Sequence, residues 1–476
     1  MRPPLSVVTG IASFAALLAV SCRTDDRTPL GPAVRASAQQ YVASSGDVQT
    51  VTDADQVLVE YTSEIELRAA VAVTGGSIDQ VHPEISFATV SGLSDDQVAQ
   101  LARMPGIKGA TRDVIVQWVP SNEATDAADI QAVPDVLPQL TPDPTTTFFY
   151  AAFQWDMRAI RAQDAWPTGF QGQGAKVAIL DTGIDDTHPE LAGKVDHALS
   201  VAFTPNQNPA PFPVWGDDNL HGTHVASTVT GNLFAMASVA PLARLIAVKV
   251  LNRNGSGSFG NIIAGVLYAT NVGANVINMS LGAYFPKSTR GGGPLNAALA
   301  KAVNYAQGHG VLVVCAAGNN GVNLDHDVNF VFVPAQSGTV FAVSATGPIG
   351  QANFDHLAHY SNFGRSGVDV AAPGGEFGQP GNGTRDLVLG ACSRQTLDPH
   401  FAICRTGTFY LFAAGTSMAS PHAAGVAALV FSRFGLGQTP AQVRTRLEQT
   451  ADDLGEPGVD LFYSHGRINA GRAVNQ

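Results

Sequence analysis

Four residues of this 476-residue chain have the types and local contexts that nucleophilic acyl transfer needs. Asp181 follows the apolar run Val177–Leu180, His221 opens the segment HGTHVAS, and Ser417 lies in AAGTSMASPHAAGVAALV. A serine hydroxyl needs a base to remove its proton, and an imidazole oriented by a carboxylate is suited to that role. Asn319, in VLVVCAAGNNG, offers a side-chain amide for an oxyanion.

The segments around these residues predict how they are positioned. Asp181 and Asn319 follow strand-like runs, and catalytic groups gather at the carboxyl ends of strands in open α/β sheets. The nearly uncharged stretch His422–Phe434 predicts a buried helix whose N-terminal turn carries Ser417. Pro421 suits a first turn, where its missing N–H costs no hydrogen bond. The N-terminus of this helix favours negative charge, so the backbone N–H of Ser417 is expected to be a second oxyanion donor.

Each motif also has a simpler interpretation as a turn, a helix cap or a metal-like histidine pair. HGTH contains two histidines three residues apart, but no third ligand accompanies them, so a packed His224 is expected rather than a zinc ligand. A catalytically inactive scaffold that binds peptides is a further alternative. The presence of all four residues, in this order, favours catalysis.

These segments resemble the subtilisin-like serine peptidases (the subtilase family), which share the chain order Asp, His, Ser, from about Phe153 to the C-terminus. The resemblance implies a mostly parallel sheet with helices on both faces. It also implies a serine endopeptidase that hydrolyses peptide bonds through a covalent acyl-enzyme. Asp181, His221 and Ser417 then match the catalytic triad, and Asn319 matches the oxyanion asparagine.

The resemblance also assigns two segments to the pocket for the P1 side chain, which precedes the scissile bond. NMSLG is similar to the substrate-binding strand, and AAG to the facing wall. The residues assigned in this way are Ser280, Leu281, Gly282, Ala316, Ala317 and Gly318. Their small, uncharged side chains suggest an apolar P1 residue.

No cofactor is expected to be required, and a structural calcium ion has little support. The segment TVTGNLFAMAS is shorter and more apolar than the loop with which many relatives bind calcium, and Ala151 falls near the place of a glutamine ligand. The acidic pairs Asp185/Asp186 and Asp217/Asp218 are candidates for a structural ion, but solvated loop carboxylates are the expected outcome.

The N-terminus has the features of an export signal over residues 1–22. Arg2 precedes an apolar core, Val7–Val20, that is too short to span a membrane comfortably. The core ends in LAVSC, which resembles a bacterial lipoprotein signal with Cys22 as the lipidated residue; ordinary secretion is the alternative. The chain is therefore expected in the extracellular space or cell envelope, with any membrane contact made through the lipid. Residues 23–55 are expected to be a flexible segment.

Residues 56–119 predict a second, small domain with the element order β-α-β-β-α-β, which is ferredoxin-like. Ser94 and Gln97 have the spacing of a capping box. Because it precedes the peptidase segments, this domain resembles the inhibitory propeptide of subtilases; an independent binding module is the alternative. The acidic, proline-rich residues 120–149 predict an exposed linker, with a maturation cut between Val119 and Ala152 and the peptidase domain over 150–476.

Composition limits the partners. The formal net charge is −12 without a basic cluster, which argues against nucleic acid and leaves protein or peptide substrates; a monomer is expected. Cys392 and Cys404 flank a short segment of an exported protein, which suggests a disulfide, with two reduced thiols as the alternative. Cys315 is expected to be an inert buried thiol. The long loops Tyr284–Pro294 and Gly374–Ala413 leave open a processing protease dedicated to one envelope substrate.

Overall fold

A computed structural model describes residues 50–119, 131–134, 143–204, 206–207, 211–286, 292–326 and 329–476. The predicted export signal, the lipidation candidate Cys22 and most of the flexible segment lie outside these residues. Among the helices of the described part of the chain, none is long and apolar enough to cross a membrane.

Residues 50–119, called here the N-terminal unit, form an antiparallel sheet covered by two helices. The strands lie in the order β2-β3-β1-β4, the order of a ferredoxin-like fold. The elements are β1 (Thr50–Tyr61), α1 (Glu64–Thr74), β2 (Ser77–His82), β3 (Phe87–Ser91), α2 (Asp95–Leu101) and β4 (Ile107–Gln117). The capping box is present: Ser94 N donates to Gln97 Oε1 at 2.7 Å, and Gln97 N donates to Ser94 Oγ at 3.4 Å.

The remaining residues surround a seven-stranded sheet in the order β15-β14-β12-β10-β6-β8-β7, in which every adjacent pair is parallel. Its strands are β6 (Lys176–Asp181), β7 (Val201–Ala202), β8 (Arg244–Lys249), β10 (Val276–Met279), β12 (Leu312–Ala316), β14 (Phe341–Thr346) and β15 (Val370–Pro373). Most of their residues are buried apolar side chains, as in sheets that helices cover on both faces. The predicted fold class is confirmed.

Helices pack on both faces of this sheet. The helices are α3 (Tyr150–Phe153), α4 (Trp155–Ala159), α5 (Ala162–Ala165), α6 (His221–Val229), α7 (Phe259–Asn271), α8 (Gly292–Gly308), α9 (Thr416–Phe434), α10 (Pro440–Gln449) and α11 (Ala470–Asn475). Short 3₁₀ turns span Pro144–Thr146, Trp166–Thr168, Thr384–Asp386 and Pro399–Thr406. Alternate residues of β6 enter opposite cores: Val177 joins the core that contains α6 and α9, and Ala178 joins the core that contains α7 and α8.

Smaller sheets complete the fold. β9 (Ser256–Ser258) adds to β4 of the N-terminal unit, and β11 (Ala283–Pro286) pairs with β13 (Phe330–Val333). β5 (Gln131–Val133) pairs antiparallel with β17 (Thr408–Ala413), which also pairs with β16 (Val388–Ala391). The prediction of an exposed linker is wrong for this stretch, because Val133 is buried and its strand hydrogen-bonds to the peptidase fold.

Candidate active site

Asp181 and His221 meet at the carboxyl edge of the parallel sheet. Asp181 ends β6, and His221 is the first residue of α6. Nδ1 of His221 lies 2.8 Å from Oδ1 of Asp181, and both side chains are buried. The same carboxylate oxygen accepts from the backbone N–H of Thr182 at 2.7 Å. This contact fixes the ring orientation and leaves Nε2 of His221 as the nitrogen for proton transfer.

The turn that follows β6 packs closely against the start of α6, and this makes the contact between Asp181 and His221 possible. A side chain on Gly222 would collide with the carbonyl of Gly183 and would place its Cβ 3.2 Å from Cβ of Asp181. The glycine after His221 is therefore needed for α6 to begin against the turn that follows β6. Thr182 joins the two turns, because its Oγ1 accepts from Gly222 N at 2.9 Å.

Asp217, which the sequence marks only as part of an acidic pair, is a buried centre of this arrangement. Its Oδ1 accepts from Thr182 Oγ1 at 2.9 Å and Asn219 N at 3.1 Å, and its Oδ2 accepts from Thr223 N at 2.9 Å. Burial raises the pKa of Asp217 to about 6. The neighbouring Asp218 forms an ion pair with the fully buried Lys249, with 2.7 Å between Oδ1 and Nζ.

The expectation of solvated carboxylates is therefore wrong for both acidic pairs: Asp185, Asp217 and Asp218 are fully buried. The remaining carboxylate, Asp186, is half-buried, and its Oδ2 lies 2.6 Å from Nε2 of His197. These carboxylates are engaged by protein donors, a pattern that spacing along the chain does not reveal.

A segment closed by a disulfide contacts both the turn that follows β6 and the residues that precede α6. Cys392 and Cys404 are disulfide-bonded, and the residues that follow Cys392 donate hydrogen bonds to both places. Arg394 N donates to Asp185 Oδ2 at 2.6 Å, and Gln395 Nε2 donates to Asp185 Oδ1 at 2.8 Å. Ser393 Oγ donates to the carbonyl of Asp217 at 2.7 Å. The predicted long loop is thus a structured element behind the Asp–His pair.

Ser417 lies in the first turn of α9, as predicted, and α9 packs against α6, which begins at His221. The prediction for Pro421 is wrong: the helix begins at Thr416, so Pro421 lies in its second turn. Because Pro421 has no N–H, the carbonyl of Ser417 lacks its helical donor. Ser280 Oγ donates to that carbonyl at 2.7 Å and thereby ties the nucleophile candidate to the predicted substrate-binding strand.

Asn319 lies three residues beyond the end of β12 and contacts the residue before Ser417. Its Oδ1 accepts from both the backbone N–H and the hydroxyl of Thr416, each at 2.8 Å. Gly318 N also donates to Thr416 Oγ1, at 3.0 Å. These bonds fix the amide oxygen of Asn319 and so set the direction in which its nitrogen points.

The predicted substrate-binding strand contacts an extended chain from the N-terminal unit. Gly282 N donates to the carbonyl of Trp118 at 3.0 Å, and Trp118 N donates to the carbonyl of Gly255 at 2.9 Å. The indole of Trp118 is buried, with its ring centre 5.0 Å from that of Phe259. Sequence reasoning predicted the strand that ends here but not its docking, which depends on residues more than a hundred positions away.

Three further sequence predictions concern His224, Cys315 and metal binding. His224 is fully buried with Nε2 3.1 Å from the carbonyl of Val388, and burial lowers its pKa to about 3, so the expectation of a packed histidine is confirmed. Cys315 is a buried free thiol whose pKa burial raises well above its usual value. Among the described residues, no three His, Cys, Asp or Glu side chains are grouped in a way that could hold a metal ion.

Two residues of the predicted wall of the P1 pocket lie at the end of β12. Ala316 ends this strand, and the carbonyl of Ala317 accepts from Asn362 Nδ2 at 2.8 Å.

The fold and this grouping of side chains define a peptidase of the serine type. The profile of the Subtilase family matches residues 172–466, and the chain belongs to this family. It is a subtilisin-like serine endopeptidase.

Relatives support the assignment along the chain. It is 37% identical over 337 residues to a thermophilic serine proteinase of Bacillus sp. (strain AK1), covering 70% of this chain and 69% of the relative. It is 30% identical over 478 residues to an alkaline protease of Shouchella clausii, covering all of both chains. The epidermin leader peptide processing serine protease of Staphylococcus aureus has a similar fold, with a TM-score of 0.69 at 22% identity over 88% of this chain and 97% of that one.

Proposed function

We propose that Asp181, His221 and Ser417 form the catalytic triad of an exported endopeptidase. His221 removes the proton of Ser417 as Oγ attacks the peptide carbonyl, and then protonates the leaving amine. Water hydrolyses the acyl-enzyme by the same route. The observation that carries this proposal is the buried contact of 2.8 Å between His221 Nδ1 and Asp181 Oδ1, beside the helix turn that bears Ser417. Every step uses side chains and water, so we propose no cofactor.

A fluorophosphonate probe tests the nucleophile directly. The activated Oγ of Ser417 is expected to attack phosphorus and displace fluoride, so the peptide that contains Ser417 gains the mass of the probe less HF. Prior denaturation should abolish labelling, because reactivity depends on His221. Absence of labelling in the processed, folded protein would instead support an inactive peptide-binding scaffold.

Asn319 is proposed to donate its side-chain N–H to the oxyanion, together with the N–H of Ser417. We expect Asn319→Ala to lower kcat on a peptide substrate by about 10²- to 10³-fold, with KM little changed. Asn319→Asp keeps an oxygen for the two Thr416 donors but removes the N–H donor. A comparable loss in both variants supports the oxyanion role, whereas full activity in Asn319→Asp would assign Asn319 a purely structural role.

We propose that the N-terminal unit is an intramolecular inhibitor. Its last residues run through the groove between β9 and Gly282 in the extended conformation of a bound peptide, with Trp118 buried against Phe259. We propose that the maturation cut lies between Val119 and Gln131, a narrower interval than the sequence predicts, and the pairing of β5 with β17 of the peptidase fold supports this.

Asp113 fastens the inhibitor to the first turn of α7. Its carboxylate accepts from Phe259 N at 3.0 Å and Gly260 N at 2.9 Å, at the positive end of that helix. The side chain is fully buried, and burial raises its pKa to about 6; the Ser258 hydroxyl and the Val114 N–H also face it. A raised pKa in the docked state means that docking is favoured at low pH and weakens as pH rises through 6.

We therefore expect the N-terminal unit to dissociate from the peptidase more easily at pH 7 than at pH 4.5. The contribution of Asp113 to this difference is about 2 kcal/mol. Urea titrations of the Ser417→Ala chain, followed by tryptophan fluorescence, measure the free energy of this dissociation at both pH values. Asp113→Asn in the same background should lose this part of the pH dependence. An unchanged pH dependence in Asp113→Asn would contradict the assignment.

Export and anchoring complete the proposal. The signal-like residues 1–22 support export to the cell envelope or the extracellular space, and Cys22 is proposed to carry the lipid. The peptidase is proposed to act as a monomer on protein or peptide substrates.

A further inference from the structure

The slot between Gly282 and Gly318, the two predicted walls of the P1 pocket, contains the ring of Phe332. A methyl group added to Gly282 would lie 2.5 Å from Cε1 of Phe332, and one added to Gly318 would lie 2.5 Å from Cε2. Carbon atoms that are not bonded approach each other only to about 3.5 Å. The edge of the ring therefore packs directly between the two glycine backbones. Phe332 is 3% exposed.

This slot faces the groove in which the proposed chemistry takes place. Gly282 already donates to the carbonyl of an extended chain at Trp118. Gly318 N donates to Thr416 Oγ1, in the residue next to Ser417. A peptide bound along Gly282 with its carbonyl at Ser417 would direct its P1 side chain between these two walls.

Hydrogen bonds to both the N–H and the carbonyl of Phe332 fix the backbone that carries the ring. Phe332 N donates to Gln336 Oε1 at 2.7 Å, and Gln336 N donates to the carbonyl of Phe332 at 2.8 Å. Phe332 is also paired with Tyr284 across β11 and β13. Moving the ring out of the slot would require a rotamer change in a closely packed core.

We propose, on the basis of the function proposed above, that Phe332 closes the bottom of the P1 pocket and restricts the enzyme to substrates with a small P1 residue such as Ala, Gly or Ser. A bound aromatic or long aliphatic P1 side chain would have to occupy the space that the Phe332 ring fills. The apolar P1 preference expected from the small walls of the pocket is thereby narrowed to small side chains.

The test uses the peptidase that forms when the full-length chain is processed, with active sites counted by the fluorophosphonate probe. Tetrapeptide p-nitroanilides that differ only at P1 (Ala, Leu or Phe) give kcat/KM for each side chain. We expect the wild type to prefer Ala over Phe by about 100-fold, and Phe332→Ala to raise kcat/KM for the Phe substrate by about as much. A gain of activity cannot result from a loss of folding.

Two conservative variants control for the loss of a buried ring. Phe332→Leu should admit Leu at P1 better than the wild type does. Phe341→Leu, on β14, removes a fully buried ring elsewhere and should leave the order of P1 preferences unchanged. Equal hydrolysis of Ala and Phe substrates by the wild type, or an unchanged order in Phe332→Ala, overturns this inference alone when the probe labels Ser417. Failure of the probe to label Ser417 overturns the proposed function itself.

Discussion

Ser417→Ala is expected to lower kcat for peptide hydrolysis by about 10⁶-fold, because no other group in the proposed mechanism forms the acyl-enzyme. The same change should stop self-cleavage. Intact mass should show that the wild-type chain is cut between Val119 and Gln131, whereas Ser417→Ala keeps the N-terminal unit attached. Hydrolysis of a peptide substrate by the variant, after removal of the N-terminal unit with an added protease, gives the residual rate.

Ser432→Ala is the matched control, since it removes a hydroxyl from the same helix about four turns away. This variant should be processed and should hydrolyse peptides like the wild type. If Ser417→Ala were trimmed as efficiently as the wild type, another protease would perform the cut. If it also retained peptide hydrolysis, Ser417 would not be the nucleophile.

Asp181→Asn is expected to lower kcat by about 10⁴-fold at neutral pH while leaving the fold intact. Oδ1 of Asp181 receives the N–H of Thr182 and lies 2.8 Å from His221 Nδ1. The oxygen of an asparagine can keep both contacts, but the neutral amide does not stabilise the imidazolium that forms when His221 takes the proton of Ser417. The pH dependence of kcat should change as well as the value of kcat.

The chain contains a second buried His–Asp pair that serves as the control. Nε2 of His422 lies 3.0 Å from Oδ2 of Asp156, and both side chains are buried. Asp156→Asn should lower the free energy of unfolding, as breaking a buried pair does, but should leave kcat and its pH profile near the wild-type values. Equal losses of kcat in Asp156→Asn and Asp181→Asn would mean that the effect at Asp181 is only structural.

Local patterns in the sequence predicted those features that local physics determines. Continuous apolar runs indicate strands buried on both faces, which is why β6 and β12, and the residues that follow them, could be placed at one edge of a parallel sheet. The capping box of Ser94 and Gln97 depends on four consecutive residues, and it forms as predicted.

Features that depend on contacts between distant segments could not be predicted. Gln395 donates to Asp185 across 210 positions of the chain, and nothing near either residue indicates the other. Phe332 is an ordinary strand residue in sequence, and only the fold places its ring between Gly282 and Gly318. The start of α9 before Pro421 was missed because a proline commonly marks a first turn, and the donor that compensates for it, Ser280, lies on another strand.

The docking of residues 115–119 in the groove has a consequence for how activation depends on concentration. In the uncut chain the segment is covalently attached beside its binding groove, so its effective concentration is in the millimolar range, whatever the concentration of the protein. After one cut the N-terminal unit is an ordinary ligand, whose occupancy of the groove falls on dilution. Peptidase released outside a cell into a large volume would therefore become active, whereas the same cut in a confined space would leave most molecules inhibited.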